Sequence, residues 1–170
     1  RSIAAARNAG VAAARGEIVG FVDADMQINP GTFDAIDRAL ASDRIVGGAT
    51  GCTLERWSLG LAVTYALFIP MVWLTRFDTG VVFCRRRDFE ATGGYDETLR
   101  VAEDVGFLLA LRRVGRKQGK RLTRLTHVKA VASTRKFDEY GDWHYLTTIP
   151  RLAVGFLLKR PASLQEIERY

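Results

Sequence analysis

Two acidic pairs carry the clearest chemical potential in this sequence. Asp23 and Asp25 flank Ala24 directly after the apolar run Ile18-Val19-Gly20-Phe21-Val22, and Glu103 with Asp104 heads a helical pattern. Carboxylates one residue apart at the end of a buried strand form a hard-oxygen site suited to Mg²⁺ or Mn²⁺, ions that keep waters and take substrate phosphates beside one or two carboxylates. The competing explanation is a turn whose aspartates bond local backbone amides, and on a bare D-x-D that explanation is the stronger. Asp104 has the chemistry of a general base if it reaches a substrate hydroxyl at hydrogen-bond distance. Against it, acidic residues in a first helical turn stabilise the helix dipole by about 0.3–1 kcal/mol and often do nothing else.

The elements that must position these groups read as a βα rhythm. Ser2 to Arg15 is an Ala-rich helix with Ile3, Ala6, Ala9 or Gly10, and Ala13 on one face, starting without a cap and ended by Gly16. Glu17 to Val22 is a short buried strand that closes on the acidic turn. Asn29-Pro30 starts a second helix whose apolar face is Phe33, Ile36, Ala39 and Leu40, and Arg44 to Thr50 is the next strand. Phe77 to Arg85 is a strand, Gly93-Gly94-Tyr95-Asp96 a turn, Val105 to Val114 a helix and Leu122 to Ser133 a final strand. Helices and strands in this order predict an α/β fold with a mainly parallel sheet and flanking helices, in which ligands bind at the carboxyl ends of strands.

Taken together the motifs are more specific than any of them alone. Ala5-Ala6-Arg7-Asn8-Ala9-Gly10, Gly16-Glu17, Phe21-Val22-Asp23-Ala24-Asp25, Pro30, Thr79-Gly80, Gly93-Gly94-Tyr95-Asp96-Glu97 and Glu103-Asp104 occur in one order. From residue 4 to about residue 137 the chain closely resembles family 2 glycosyltransferases with the GT-A, Rossmann-like fold. The resemblance implies sugar transfer, with inversion, from a nucleotide-diphosphate sugar to a saccharide or lipid-linked acceptor hydroxyl. It implies that Asp23 and Asp25 hold Mg²⁺ or Mn²⁺ against the diphosphate and that Asp104 deprotonates the acceptor, with Glu103 its motif neighbour. It further implies that Arg7 and Asn8 border the nucleotide site together with Asp23 and that Gly93 to Asp96 lie near the acceptor; Arg135 and Lys136, after the last strand, are the candidates for the diphosphate itself. Complete members carry a Pro-x-Tyr-Asn-like strand and a second strand ending in Asp-Asp-x-Ser, and nothing here corresponds to them. Residues 1–150 are therefore expected to be the C-terminal portion of an N-terminally incomplete GT-A domain, with 151–170 a helical tail.

Composition narrows the alternatives. The 170 residues are 48% hydrophobic and 26% charged, which excludes disordered, collagen-like and disulfide-scaffold classes. Two cysteines, Cys52 and Cys84, without metal-ligand spacing suit a reduced, cytoplasmic chain. The net charge of +6 is concentrated: Val105 to Phe137 holds ten basic and no acidic residues. Without aromatic interleaving or a helix-turn-helix or zinc signature, that segment argues against nucleic acid and for a solvated face or a surface meeting anionic lipid or a lipid-phosphate acceptor. Leu59 to Thr75, 17 residues with Pro70 inside, reads as a kinked buried or membrane-surface helix, since a span needs about 20. His127 and His144 are read as ordinary strand or surface histidines rather than metal ligands. Besides an enzyme, a non-catalytic binding module and a basic nucleic-acid-binding domain remain as other classes.

Overall fold

A computed structural model describes residues 2–75, 78, 80–99, 103–143 and 146. Its elements are α1 (Ile3–Ala13), β1 (Ile18–Phe21), β2 (Met26–Gln27), α2 (Thr32–Leu40), β3 (Ile45–Leu54), α3 (Leu59–Thr75), β4 (Val82–Arg85), α4 (Arg86–Thr92), α5 (Glu103–Lys117), β5 (Arg121–Ala132) and α6 (Arg135–Tyr140). Contacts divide the chain into residues 1–55 with 71–133, and residues 56–70 with 134–170. The boundary expected near residue 150 lies outside the described residues.

In the first unit, α1 is capped after all: the Ser2 hydroxyl accepts the Ala5 N–H at 3.1 Å. Its other end is closed by Arg86, whose guanidinium donates to the carbonyls of Val11, Ala14 and Gly16 at 2.8, 2.6 and 3.0 Å. A cation on otherwise unpaired C-terminal carbonyls suits the helix dipole. The buried face differs from the expected one. Ile3, Ala6, Ala9, Gly10 and Ala13 are exposed, while Ala4 and Val11 are buried with Arg7 and Asn8 partly buried between them. Alanine is so frequent in this helix that its spacing cannot single out a face, and the two polar residues turn inward because their partners are there. In α2 the buried residues are Thr32, Ala35, Ile36 and Leu40, and Phe33 faces out.

The five strands form one sheet in the order β1-β4-β3-β5-β2. The α/β class with flanking helices holds, but the sheet is mixed rather than mainly parallel: β3 and β5 pair in parallel, and the other three pairings are antiparallel. β1, β3 and β5 nonetheless run the same way, as helical crossovers require. The short reversed strand β4 is inserted between β1 and β3, and the two-residue β2 runs against β5. A βα rhythm sets the direction of successive strands but not which of them become neighbours. Backbones meet closely where β3 lies against β5, since a Cβ on Gly48 would stand 1.9 Å from the Thr123 carbonyl oxygen.

Alternation along β4 separates two apolar layers. Val82 and Cys84 join Phe21, Val46, Phe89, Tyr95, Phe107, Leu108 and Leu111 on the face covered by α1, α4 and α5. Val81 and Phe83 join Ile36, Leu40, Leu125 and Val128 beneath α2. In the second unit, Arg56 bridges Asp138 and Asp142 at 2.5 and 2.7 Å, and Trp57 meets Tyr65 edge-on. No helix among the described residues is long and apolar enough to cross a membrane.

Candidate active site

The D-x-D turn follows β1 directly. The Met26 N–H returns to the Asp23 carbonyl at 3.1 Å, and the Asp25 carbonyl accepts the Ser133 N–H at 3.2 Å, so the turn is tied to the end of β5. Both carboxylates are exposed. Glu103 and Asp104 enter from the other side of the sequence, at the head of α5, which ends in Arg116 and Lys117 as the dipole favours.

Arg7 joins the two pairs. From the inward face of α1, its Nη1 donates to Asp104 Oδ1 at 2.5 Å and lies 3.5 Å from Glu103 Oε1, while Nη2 donates to Asp23 Oδ1 at 2.6 Å. The Arg7 side chain is 11% exposed, against 14% for Glu103, 32% for Asp104 and 47% for Asp23. Burial works against its charge, but the fields of Asp104, Tyr95 and Asp23 and the Asp104 hydrogen bond outweigh burial and raise its pKa above the ordinary value. Three carboxylates around one cation leave the cluster net negative.

Asn8, one residue on, holds the Gly93–Asp96 loop. Its Oδ1 accepts the Tyr95 N–H and its Nδ2 donates to the Tyr95 carbonyl, each at 2.9 Å, and Nδ2 also reaches Glu97 at 2.9 Å. Gly93 and Gly94 both have positive φ, and a Cβ on Gly94 would lie 2.8 Å from the Asn8 amide oxygen, so the turn needs glycine there. Tyr95 is buried, stacked on Phe107 at 4.4 Å and edge-on to Phe21 at 5.0 Å, with Arg7 5.0 Å above its ring. Its hydroxyl donates to Asp104 Oδ1 at 3.0 Å. Burial, then the charge of Asp104, raises the phenol's pKa well above its ordinary value, so it stays a donor.

The structure thus brings together Arg7, Asn8, Asp23, Glu103 and Asp104, with Asp25 at the same turn. Arg135 opens α6 in the second unit. His127 is exposed on β5, and His144 lies outside the described residues. Arg124 is not a spare cation of the basic segment, because it pairs with the buried Asp78. What the sequence reading did not assign is the hydroxyl of Tyr95. The Gly-Gly pair before it was the available signal that this loop is held in a special conformation.

Asp23 and Asp25 fit a hard divalent cation: both are exposed oxygen donors, and Arg7 occupies only one Asp23 oxygen. Among the described residues no group of three or more acidic, histidine or cysteine side chains could hold a metal alone. Such a cation would need waters or phosphate oxygens to complete its shell, as Mg²⁺ and Mn²⁺ accept.

Residues 1–77, which include Arg7, Asn8 and the D-x-D turn, match the model of glycosyl transferase family 2. Over that stretch the chain is similar to the family 2 glycosyltransferases. Comparison with curated protein sequences returned no match. Among solved structures, the chain is similar to the mannosyltransferase PcManGT from Pyrobaculum calidifontis, described in complex with GDP-Man and Mn²⁺. That similarity has a TM-score of 0.60 and 22% identity, and covers 89% of this chain and 41% of the other. The chain thus spans about two fifths of that mannosyltransferase, which it resembles in fold.

Proposed function

We propose that this chain supplies the carboxylate centre of a family 2 glycosyltransferase that moves a sugar, with inversion, from a nucleotide-diphosphate donor to the hydroxyl of a saccharide or lipid-linked acceptor. The observation that carries the reading is the convergence of Asp23 and the Glu103-Asp104 pair, from opposite ends of the first unit, on the single guanidinium of Arg7. Breaking a sugar–phosphate bond builds positive charge on the ring and negative charge on the leaving diphosphate. Asp23 and Asp25 hold a divalent cation, Mg²⁺ or Mn²⁺, which when bound neutralises the diphosphate. Asp104 takes the proton of the attacking hydroxyl, so one carboxylate set serves departure and the other attack. The guanidinium of Arg7 keeps the two sets from repelling each other. The GDP-Man and Mn²⁺ of the mannosyltransferase neighbour make GDP-mannose the first donor to try.

Two further features belong to this reading. The exposed Leu59, Val63 and Leu67 recur at four-residue spacing along α3 and support a peripheral membrane contact, at the cytoplasmic face. The buried thiols of Cys52 and Cys84, which form no disulfide among the described residues, support that reducing side.

The test is radiolabelled transfer by the whole protein from a panel of nucleotide sugars, with and without Mn²⁺. Transfer from at least one donor is expected, lost on chelation with EDTA and reduced at least about a hundredfold by Asp25→Asn. No transfer from any donor, or transfer indifferent to EDTA and to Asp25→Asn, would overturn the reading.

A further inference from the structure

The hydrogen bonds on Asp104 are one-sided. Oδ1 receives both the Arg7 Nη1 at 2.5 Å and the Tyr95 hydroxyl at 3.0 Å, and among the described residues nothing donates to Oδ2. Both donors are themselves fixed. Tyr95 is pinned through its backbone by Asn8 and through its ring by Phe21 and Phe107, and Arg7 is tied to Asp23 by its second nitrogen. A carboxylate held at one oxygen by two oriented donors has its plane fixed and presents the other oxygen.

Resting on the glycosyl-transfer reading above, we propose that Tyr95 is a positioning residue. With Arg7 it locks Asp104 through Oδ1, so that Oδ2 alone takes the acceptor proton. The phenol neither gives nor takes a proton in the reaction; its O–H stays on Oδ1 while the acceptor proton passes to Oδ2. The Gly93-Gly94 turn acquires a chemical purpose, since its backbone conformation delivers the Tyr95 hydroxyl to the head of α5.

The test is a double-mutant cycle on sugar transfer by the whole protein with Mn²⁺, using the best donor of the panel. Tyr95→Phe keeps the ring and its packing and removes only the hydroxyl. It should lower kcat about tenfold and leave the donor KM essentially unchanged, with the variant still folded at the assay temperature. In an Asp104→Asn background, whose residual rate is measurable with radiolabelled donor, the same change should alter kcat less than about twofold, because Tyr95 acts through the base. Arg7→Lys, an ammonium that cannot span Asp104 and Asp23 together, should also lower kcat, but part of its loss should persist in the Asp104→Asn background, because Arg7 holds Asp23 as well. Unchanged kcat in Tyr95→Phe would overturn the proposal, as would a tenfold loss in both backgrounds or a loss expressed only in donor KM. If Asp104→Asn is itself fully active, the base assignment fails first, and the two failures are told apart by that single variant.

Discussion

Replacing Arg7 by Met keeps the aliphatic stem against the core and removes what is, among the described residues, the only cation within the carboxylate cluster. A hydrogen bond to a charged group contributes about 1.5–3 kcal/mol, and an exposed ion pair about 0–1 kcal/mol. Asp104, 32% exposed, belongs near the lower end of the first range, and Asp23, 47% exposed, belongs to the second. Glu103 stands further off at 3.5 Å but is the most buried of the three. The expected loss for Arg7→Met is therefore about 2–3 kcal/mol. With a urea slope of about 2 kcal/mol per molar, the unfolding midpoint should fall by about 1–1.5 M. The pH dependence is also fixed. The folded pKa of Arg7 lies above its ordinary value, so its contribution is fully present below that ordinary value and is lost only as the pH climbs through the folded one. The gap between the native chain and Arg7→Met should accordingly stay constant between about pH 7 and about pH 10. Added salt should narrow it by screening the carboxylates left behind. Equal midpoints at low salt, or a gap that closes by pH 10, would show that the guanidinium does not hold the two acidic pairs together.

Two other measurements probe the frame around the site. Burial, then the charge of Asp88, pushes the Cys84 thiol up to about 12. The fold favours the neutral thiol, so this contribution is intact below the ordinary 9.0 and falls as the pH rises through about 12, a decline that urea midpoints across that window should follow. At pH 8, Ellman's reagent should label Cys52 and Cys84 only at the rate of opening, since both are buried. Gly48→Ala, with its Cβ 1.9 Å from the Thr123 carbonyl, should cost about 3 kcal/mol, whereas Gly10→Ala, with nothing within 4 Å, should gain about 0.5–1 kcal/mol. Thermal or urea unfolding of the two variants checks both signs.

Most of the helices and the co-directional strands β1, β3 and β5 were legible in periodicity because each buries a face of its own. β2 was not anticipated and β4 was anticipated only as a strand over Phe77 to Arg85: neither stretch of sequence states its direction or its neighbours, and the mixed sheet follows from those two. The seven-residue α4 passed unnoticed because it starts directly after β4, with Arg85 and Arg86 giving no boundary signal. The site was readable as motif order but not as mechanism. Asp104 and Arg7 are 97 residues apart, and no local pattern reveals that an arginine in an Ala-rich helix points inward to meet it. The expected apolar face of α1 failed for the same reason: Arg7 and Asn8 occupy the inner stripe because carboxylates and the Tyr95 backbone satisfy them there. The hydroxyl of Tyr95 illustrates the limit most plainly, since a tyrosine after two glycines reads as loop packing until its oxygen is found beside Asp104.

The central claim is that Asp104 is the base of a sugar transfer whose donor is held elsewhere, by the D-x-D turn. It is tested most directly by Asp104→Asn in the whole protein, measuring radiolabelled transfer and, by calorimetry with Mn²⁺, donor binding. Transfer should fall by about 10²–10⁴-fold, as removal of a general base entails, while the donor Kd stays within about twofold. Full transfer by Asp104→Asn, or loss of transfer that merely tracks loss of donor binding, would contradict it.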